Sequence, residues 1–285
     1  MSDPRVRFSA DRDTHIARLT LCRPEAGNAL DRAMAAAMVA AIDVVDDDDD
    51  LKVLVIDAEG ADLSAGWDVD EVWQLYTGAP GGRVRKHPSQ RARLIAQADN
   101  WWGPNGLYSR LLKCRKVTVV QATGRCFETG LYLTLCCDIV VASSDARFAC
   151  PRWHNIGADG DMSLLIAEVG LKRAKDLLFL GKSWSADDAL RFGLIDQVEN
   201  AQAVPAAGAG FAKMCASIMR DGIISEKYAV FASLAKMGID FSFAATSVVA
   251  ASLSNIHFQP GETNFLRDLR EQGREPTLLA SREGF

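Results

Sequence analysis

The chain has 285 residues, 48% of them hydrophobic, and a formal net charge of −5. That length and apolar content allow a large buried core, in one domain or in one domain plus an extension, and the mildly acidic balance gives no reason to expect nucleic acid as a partner. No apolar run approaches the roughly 20 residues of a membrane helix, and Met1-Ser2-Asp3-Pro4-Arg5 lacks the apolar centre of a secretion signal, so a cytoplasmic protein without membrane contact is expected.

Strands are expected at the β-branched runs Ile16–Leu21, Leu51–Ile56, Val117–Val120 and Asp138–Ala142, with helical patterns between most of them, which is an α/β order. The acidic run Asp46–Asp50 reads as a solvated helix-to-strand loop. After the second strand, Ser64-Ala65-Gly66-Trp67-Asp68-Val69 reads as a turn entering a short helix. Tyr76 to Asn100, rich in Gly, Pro, Arg and Gln, reads as a mobile insertion or lid over a site.

Gly124-Arg125-Cys126-Phe127-Glu128-Thr129-Gly130 precedes the apolar run Leu131–Cys137, so the free N–H groups of that helix should face whatever sits above the turn. Such a place suits a negative oxygen. The Trp67 N–H could point the same way as that of Thr129, and two such donors would polarise a thioester carbonyl and stabilise the oxyanion or enolate formed from it. The alternative at Ser64–Val69 is an ordinary strand-to-helix turn. Glu128 reads as a solvated turn carboxylate, with a displaced catalytic acid as the other possibility.

Downstream, Trp153 and Asp161 lie eight residues apart on a glycine-bearing loop that also carries His154. Asp161 precedes the apolar segment starting at Met162, where a helix N-cap belongs, and a helix N-terminus would also keep a nucleophile or base ionised. Trp153 and His154 read equally as packed residues. The seven cysteines, Cys22, Cys114, Cys126, Cys136, Cys137, Cys150 and Cys215, show no paired Cys-x-x-Cys spacing and read as reduced core residues rather than metal ligands. No phosphate-cradling or dinucleotide fingerprint is present. After about residue 205 the strand signal gives way to Ala-rich helix, which divides the chain into a core at 1–204 and a helical region at 205–285.

Four segments in order, Arg23-Pro24-Glu25-Ala26-Gly27-Asn28-Ala29-Leu30, Ser64–Val69, Gly124–Asp138 and Gly181–Val198, resemble the enoyl-CoA hydratase/isomerase (crotonase) superfamily. The resemblance implies a spiral of ββα repeats, a C-terminal helical region that builds trimers or hexamers, and an acyl-CoA thioester as ligand, with coenzyme A as part of the substrate and no separate cofactor. It puts the thioester oxygen at the N–H groups of Trp67 and Thr129, next to Gly130. It also puts Arg23, Ala29, Ser64, Ala65, Tyr132, Arg152 and His154 against the substrate, with Arg23 meeting the CoA phosphates.

The two glutamates that hydratases of the superfamily use as an acid and base pair are replaced here by Tyr132 and Arg152, and an arginine is no base near neutral pH. The loop Trp153–Asp161 resembles that of the 4-chlorobenzoyl-CoA dehalogenases, in which a tryptophan and an aspartate flank the aromatic ring and the aspartate attacks it. Trp101-Trp102, His257-Phe258, Pro260 and Phe265 fit those relatives too, whereas the histidine that follows their paired tryptophans is missing. Three functions stay open: double-bond or hydration chemistry on an enoyl-CoA, with Asp161 as acid/base or nucleophile; hydrolysis or dehalogenation of an aromatic or cyclic acyl-CoA; and binding of a CoA thioester without turnover.

Overall fold

A computed structural model describes residues 3–71, 91–151, 162–252, 259–262 and 265–273. Strands β1 (Val6–Asp11) and β2 (Ile16–Leu21) form an antiparallel hairpin. β3 (Val53–Ala58), β4 (Val117–Ala122), β6 (Ile139–Ser143) and β9 (Gln197–Glu199) extend it in parallel, in the order β1-β2-β3-β4-β6-β9. The inner strands are Val- and Ile-rich because both faces of the sheet are covered. On one face Val53, Val55 and Val119 pack on Ala212, Cys215 and Ala216. These last three belong to α7 (Val204–Ala216), so the first helix of the C-terminal region closes the core of the same chain.

A second sheet holds β5 (Arg125–Phe127), β7 (Arg147–Ala149) and β8 (Trp184–Ser185). It explains how the chain winds. β4 adds to the large sheet, β5 to the small one, and α4 (Thr129–Cys136) follows; β6, β7 and α5 (Met162–Leu180) repeat that path. Each ββα turn therefore stacks on the previous one, which is the crotonase spiral. The earlier turn joins through a parallel bridge between Ser64 and Cys126, which lies in register with Phe148 of the next turn.

The other helices that bear on the site are α1 (Arg32–Asp47), α2 (Arg91–Ala98), α3 (Leu107–Leu112), α6 (Ala186–Phe192), α8 (Arg220–Lys236) and α9 (Ile239–Ser252). α1 starts at Asp31, whose carboxylate accepts the Met34 N–H at 2.9 Å and so satisfies one first-turn donor. α4 is apolar all round and every one of its residues is buried, as a helix wedged between two sheets and a further helix layer requires.

Of the segment Tyr76 to Asn100 expected to be a lid, residues 76–90 lie outside the described residues; residues 91–98 form α2 and pack on α9, and the Trp101–Trp102 pair just beyond is buried in the core. Two expectations need correction. The acidic run is only partly solvated: Asp46 holds the Arg115 guanidinium at 2.9 Å and Asp48 holds Arg12 at 2.8 Å, whereas Asp47 and Asp50 face water. Lys116, itself buried, donates to the Asp48 carbonyl at 3.0 Å, so the run ends α1 by fixing its last turn to the start of β4. Strands β1, β5, β7, β8 and β9 have no counterpart in the sequence reading. The cysteines are free thiols: Cys114, Cys126, Cys136, Cys150 and Cys215 are buried, and Cys22 and Cys137 half-buried.

Candidate active site

Stacking of successive turns brings the two expected donor segments together. The Ser64 N–H donates to the Arg125 carbonyl and the Phe127 N–H to the Ser64 carbonyl, both at 2.9 Å, so the turn after β3 lies along β5. The chain then crosses to Leu30: the Leu30 N–H donates to the Gly66 carbonyl at 3.0 Å and the Asp68 N–H to the Leu30 carbonyl at 2.8 Å. In a parallel bridge of this kind the middle residue turns its own N–H to the opposite side. Trp67 is that residue, so its N–H is directed away from the Leu30 segment.

The other donor segment is the start of α4. Thr129, Gly130 and Leu131 occupy its first turn, where backbone N–H groups have no acceptor within their own helix. Side chains tie the two segments: Ser64 Oγ lies 2.8 Å from Thr129 Oγ1, 2.9 Å from the Asn28 carbonyl oxygen and 3.2 Å from the Gly66 nitrogen, whose N–H it accepts. All of these atoms are buried. Gly130 suits the same closeness, because a Cβ there would stand 3.0 Å from the Ser64 carbonyl oxygen and push the two segments apart by a few tenths of an ångström. Gly124, with φ 51°, needs to be glycine for conformation and for space, since a Cβ would come within 2.2 Å of the Ala61 carbonyl oxygen.

Asn28 fixes the loop around this point. Its amide donates to the carbonyls of Glu59 and Asp62, both at 2.8 Å, and its oxygen accepts the Arg23 N–H at 2.8 Å. Arg23 spends part of its guanidinium inside the fold, donating to the Ala29 carbonyl at 3.1 Å and pairing with Asp68 at 2.7 Å. The side chains of this pair are 18% and 7% exposed. Asp68 also accepts the Glu71 N–H at 2.9 Å, so it caps the helix that the Ser64–Val69 turn enters. The sequence reading gave Arg23 a phosphate contact and did not foresee this ion pair. Ala65 is half-buried beside Trp67, and Ala29 is buried.

Tyr132 lies on α4, three residues after Thr129, and is buried in a cluster of rings. Trp102 meets Tyr132 edge-on at 4.4 Å between centroids and Phe243 at 5.3 Å; Tyr108 lies 5.2 Å from Tyr132 and 4.5 Å from Trp102. Trp101 links Tyr108 to Trp67, at 5.9 Å from each. An aromatic wall thus runs from one donor segment to the other through rings of five elements. The sequence reading had named Trp101, Trp102, Trp67 and Tyr132 separately, and Tyr108 and Phe243 not at all.

Glu128, expected as a solvated carboxylate, is 4% exposed. Its N–H donates to the Ala149 carbonyl at 2.9 Å, joining the start of α4 to the end of β7. Arg152, Trp153, His154 and Asp161 lie outside the described residues, as do His257 and Phe258. What is seen next to Asp161 is the start of α5 at Met162. Pro260 is exposed. Among the described residues no group of His, Cys, Asp and Glu is arranged to hold a metal ion, and no single helix is long and apolar enough to cross a membrane.

Residues 11–265 match the enoyl-CoA hydratase/isomerase family. The chain belongs to that family. It is 29% identical over 241 residues to the putative enoyl-CoA hydratase EchA13 of Mycobacterium tuberculosis, covering 82% of this chain and 75% of that protein. It is 27% identical over 195 residues to the mitochondrial Δ(3,5)-Δ(2,4)-dienoyl-CoA isomerase of Dictyostelium discoideum, 68% of this chain and 64% of that one. The 4-chlorobenzoyl coenzyme A dehalogenase-2 of an Arthrobacter species is 26% identical over 194 residues, 67% and 65% of the two chains. Among solved structures, an enoyl-CoA hydratase from Mycobacterium smegmatis superposes with a TM-score of 0.84 at 23% identity, over 99% of this chain and 94% of the other, which shows the shared fold. Family members thus include hydratases, an isomerase and dehalogenases, all named for CoA thioesters, on this one scaffold.

Proposed function

We propose that the protein is an acyl-CoA-processing enzyme that holds the thioester oxygen of its substrate between the backbone N–H groups of Trp67 and Thr129. The contact between Ser64 and Thr129 carries the reading, because it fixes the two donor segments to one another inside the core. Preorganised N–H donors of this kind favour the oxyanion or enolate over the neutral thioester without reorganising at the moment of reaction, and losing one such donor costs on the order of 10² to 10³ in turnover. Ser64 and Gly130 serve as the supports of the pair, and Ala65 and Ala29 flank it.

The acyl group is aromatic or cyclic in this reading. Support comes from the ring wall between Trp67 and Tyr132 and from the similarity to the dehalogenases. Simple hydration fits poorly, since the position of one hydratase glutamate holds Tyr132, and a phenol is a weak substitute for a carboxylate in an acid and base pair. Asp161, one residue before α5, is the acid/base or nucleophile, assisted by Trp153; His154 and Arg152 contribute to substrate binding, and Arg23 reaches the CoA phosphates with the N–H groups that Asp68 and Ala29 leave over. The enzyme works as a homotrimer or hexamer, using the side chains that α8 and α9 leave at the surface, such as Tyr228, Phe241 and Val248; light scattering that gives a stable monomer of 30.9 kDa contradicts this part.

Calorimetry with benzoyl-CoA, crotonyl-CoA and free CoA tests the reading, followed by turnover of Asp161→Asn on the thioester that binds best. Tight binding of benzoyl-CoA, with turnover reduced by about 10² or more in the variant and an unchanged melt, is expected. Equal affinity for free CoA and both thioesters would mean that the acyl group is not recognised. Full activity in Asp161→Asn would leave that residue as a helix cap only, because asparagine caps about as well as aspartate.

A further inference from the structure

Arg125 is held more firmly than a surface arginine needs to be. Asp62 accepts its backbone N–H at 2.8 Å and its Nη2–H at 2.6 Å, one with each carboxylate oxygen, so a single side chain fixes both the start of β5 and the guanidinium. The turn at Gly27 clears the space for that group. Gly27 has φ 58°, a conformation suited to glycine, and a Cβ there would stand 2.6 Å from Arg125 Nη2 and 3.0 Å from the Ala65 Cβ. Asn28, the next residue, ties this corner to Arg23, since its side chain accepts the Arg23 N–H and donates to the Asp62 carbonyl, both at 2.8 Å. The Arg125 side chain is 27% exposed, and its hydrogen bonds among the described residues go to Asp62 alone, which leaves Nε and Nη1 unspent.

Stability does not account for this construction, because a partly exposed ion pair contributes little. Ligand chemistry does. The planar fork of a guanidinium suits the oxygens of a phosphate group, and a carboxylate that holds one corner of the fork fixes the direction of the rest. Arg23 is built in the same way, with its Nη1 held by Asp68 and the Ala29 carbonyl. Two arginines, each anchored by an aspartate, therefore border the loop of residues 23–29. The place also fits. Ala65, whose N–H donates to the Gly27 carbonyl at 2.7 Å, is two residues before Trp67, and Arg125 is four residues before Thr129, so the backbone from either proposed donor to this corner spans at most about 14 Å. In a CoA thioester the pantetheine arm separates the thioester from a diphosphate and a 3′-phosphate, which together carry more negative charge than Arg23 alone can meet.

Building on the acyl-CoA reading above, we propose that Arg125 is a second phosphate-binding residue of the site, which grips the nucleotide end of the substrate together with Arg23 across the contact between Gly27 and Ala65. Asp62 orients the guanidinium, Gly27 gives it room, and Asn28 keeps the two arginine-bearing segments in place. Binding is by charge-assisted hydrogen bonds from the unspent N–H groups to phosphate oxygens.

Calorimetry of the intact protein with CoA and with dephospho-CoA, at two salt concentrations, tests this. Arg125→Gln should weaken CoA binding about tenfold or more and flatten its dependence on salt, and Arg125→Lys, which keeps the charge without the fork, should recover part of the affinity. Because the single variant leaves Asp62 without its partner, Arg125→Gln combined with Asp62→Asn is the companion. It replaces the ion pair by a neutral hydrogen bond, keeps the local net charge and should melt close to the wild type, yet bind CoA as weakly as Arg125→Gln. An equal loss on dephospho-CoA puts the contact at the diphosphate, and a loss confined to CoA puts it at the 3′-phosphate; both support the proposal. Wild-type affinity for CoA in either variant overturns it; if only the double variant recovers, the field of the unpaired Asp62 was the whole effect. A wild type that binds neither CoA nor benzoyl-CoA brings down the acyl-CoA reading itself.

Discussion

The hydroxyls of Ser64 and Thr129 lie 2.8 Å apart in the core, joining two successive turns of the spiral at the points where each turn passes from strand to helix. One proton is shared in this contact, and Ser64 has a further acceptor within reach in the Asn28 carbonyl. Thr129 donating to Ser64, and Ser64 to Asn28, satisfies every group. Ser64 lost alone leaves the buried Thr129 hydroxyl without its acceptor, at about 1–3 kcal/mol, whereas Ser64 keeps Asn28 and Gly66 when Thr129 is lost, so that a single hydrogen bond of about 1 kcal/mol goes. Ser64→Ala should lower stability by the larger amount and Thr129→Val by the smaller, and the double variant by clearly less than their sum, as read from urea unfolding. Strict additivity would show that the hydroxyls do not act as a pair.

Arg23 and Asp68 couple the loop before α1 to the turn that carries Trp67. Both side chains are largely withdrawn from water, so Arg23→Ala removes the guanidinium from a buried carboxylate and should cost about 3 kcal/mol. Adding Asp68→Asn should restore part of the lost stability. The same Arg23→Ala change should weaken binding of free CoA in calorimetry. An unchanged melt would reduce the pair to a surface contact, and an unchanged dissociation constant would take Arg23 away from the phosphates.

Crotonyl-CoA should be hydrated slowly or not at all. Tyr132 is locked between Trp102 and Tyr108 and has no carboxylate to offer. Loss of absorbance of the conjugated thioester at micromolar enzyme is the measurement. Turnover on the order of 10 per second, ordinary for an enzyme, would contradict the placement of Tyr132. Tyr132→Ala should cost about 3–5 kcal/mol, since it leaves a cavity in the ring cluster.

Burial raises the thiols of Cys114 and Cys126, the first to about 11 from the ordinary 9.0 and the second well above it. Thiolate is the reactive form, so a thiol reagent at pH 8 should label both slowly until the protein unfolds. The sign for stability follows from the raised value. The neutral thiol of Cys114 is accommodated fully below pH 9.0, and stability falls as pH rises from there through about 11, because the unfolded chain releases its proton first. Melting temperatures should therefore drop less between pH 9 and 11 in Cys114→Ala than in the wild type. Parallel slopes would show that this thiol does not contribute to alkaline unfolding.

The sequence displayed the parts of this fold whose patterns are local. β3, β4 and β6 are β-branched runs buried mostly on both faces, β2 alternates half-buried and buried residues over its first half, and α4 is a largely apolar segment after a glycine turn, so each stands out in a short window. β5, β7, β8 and β9 have two or three residues apiece, too few for an alternation to show. β1 is an edge strand whose charged residues face water, and it reads as a polar terminus. The turns at Trp67 and Thr129, expected to carry the donors, were legible through their turn residues. The hydroxyl contact that joins them was not, because 65 residues separate Ser64 from Thr129. Nor was the ring wall, which collects Trp67, Trp101, Trp102, Tyr108, Tyr132 and Phe243 from distant elements. Glu128 misled for a physical reason: a charged residue in a turn is usually solvated, whereas here the backbone pairing of Glu128 with Ala149 at the end of β7 holds the start of α4 inside the fold, and the residue is buried.

The vibrational frequency of a bound thioester carbonyl tests the central claim most directly, because hydrogen bonds to the oxygen weaken the C=O bond whatever reaction follows. Benzoyl-CoA carrying ¹³C at the thioester carbonyl would be measured free and bound by isotope-edited infrared difference spectroscopy. Two N–H donors from Trp67 and Thr129 predict a clear shift of the bound C=O stretch to lower frequency, preserved in Asp161→Asn and reduced in Ser64→Ala, where the two segments lose their tie. A bound thioester whose carbonyl stretch matches that of the free molecule in water, or lies above it, would contradict the account.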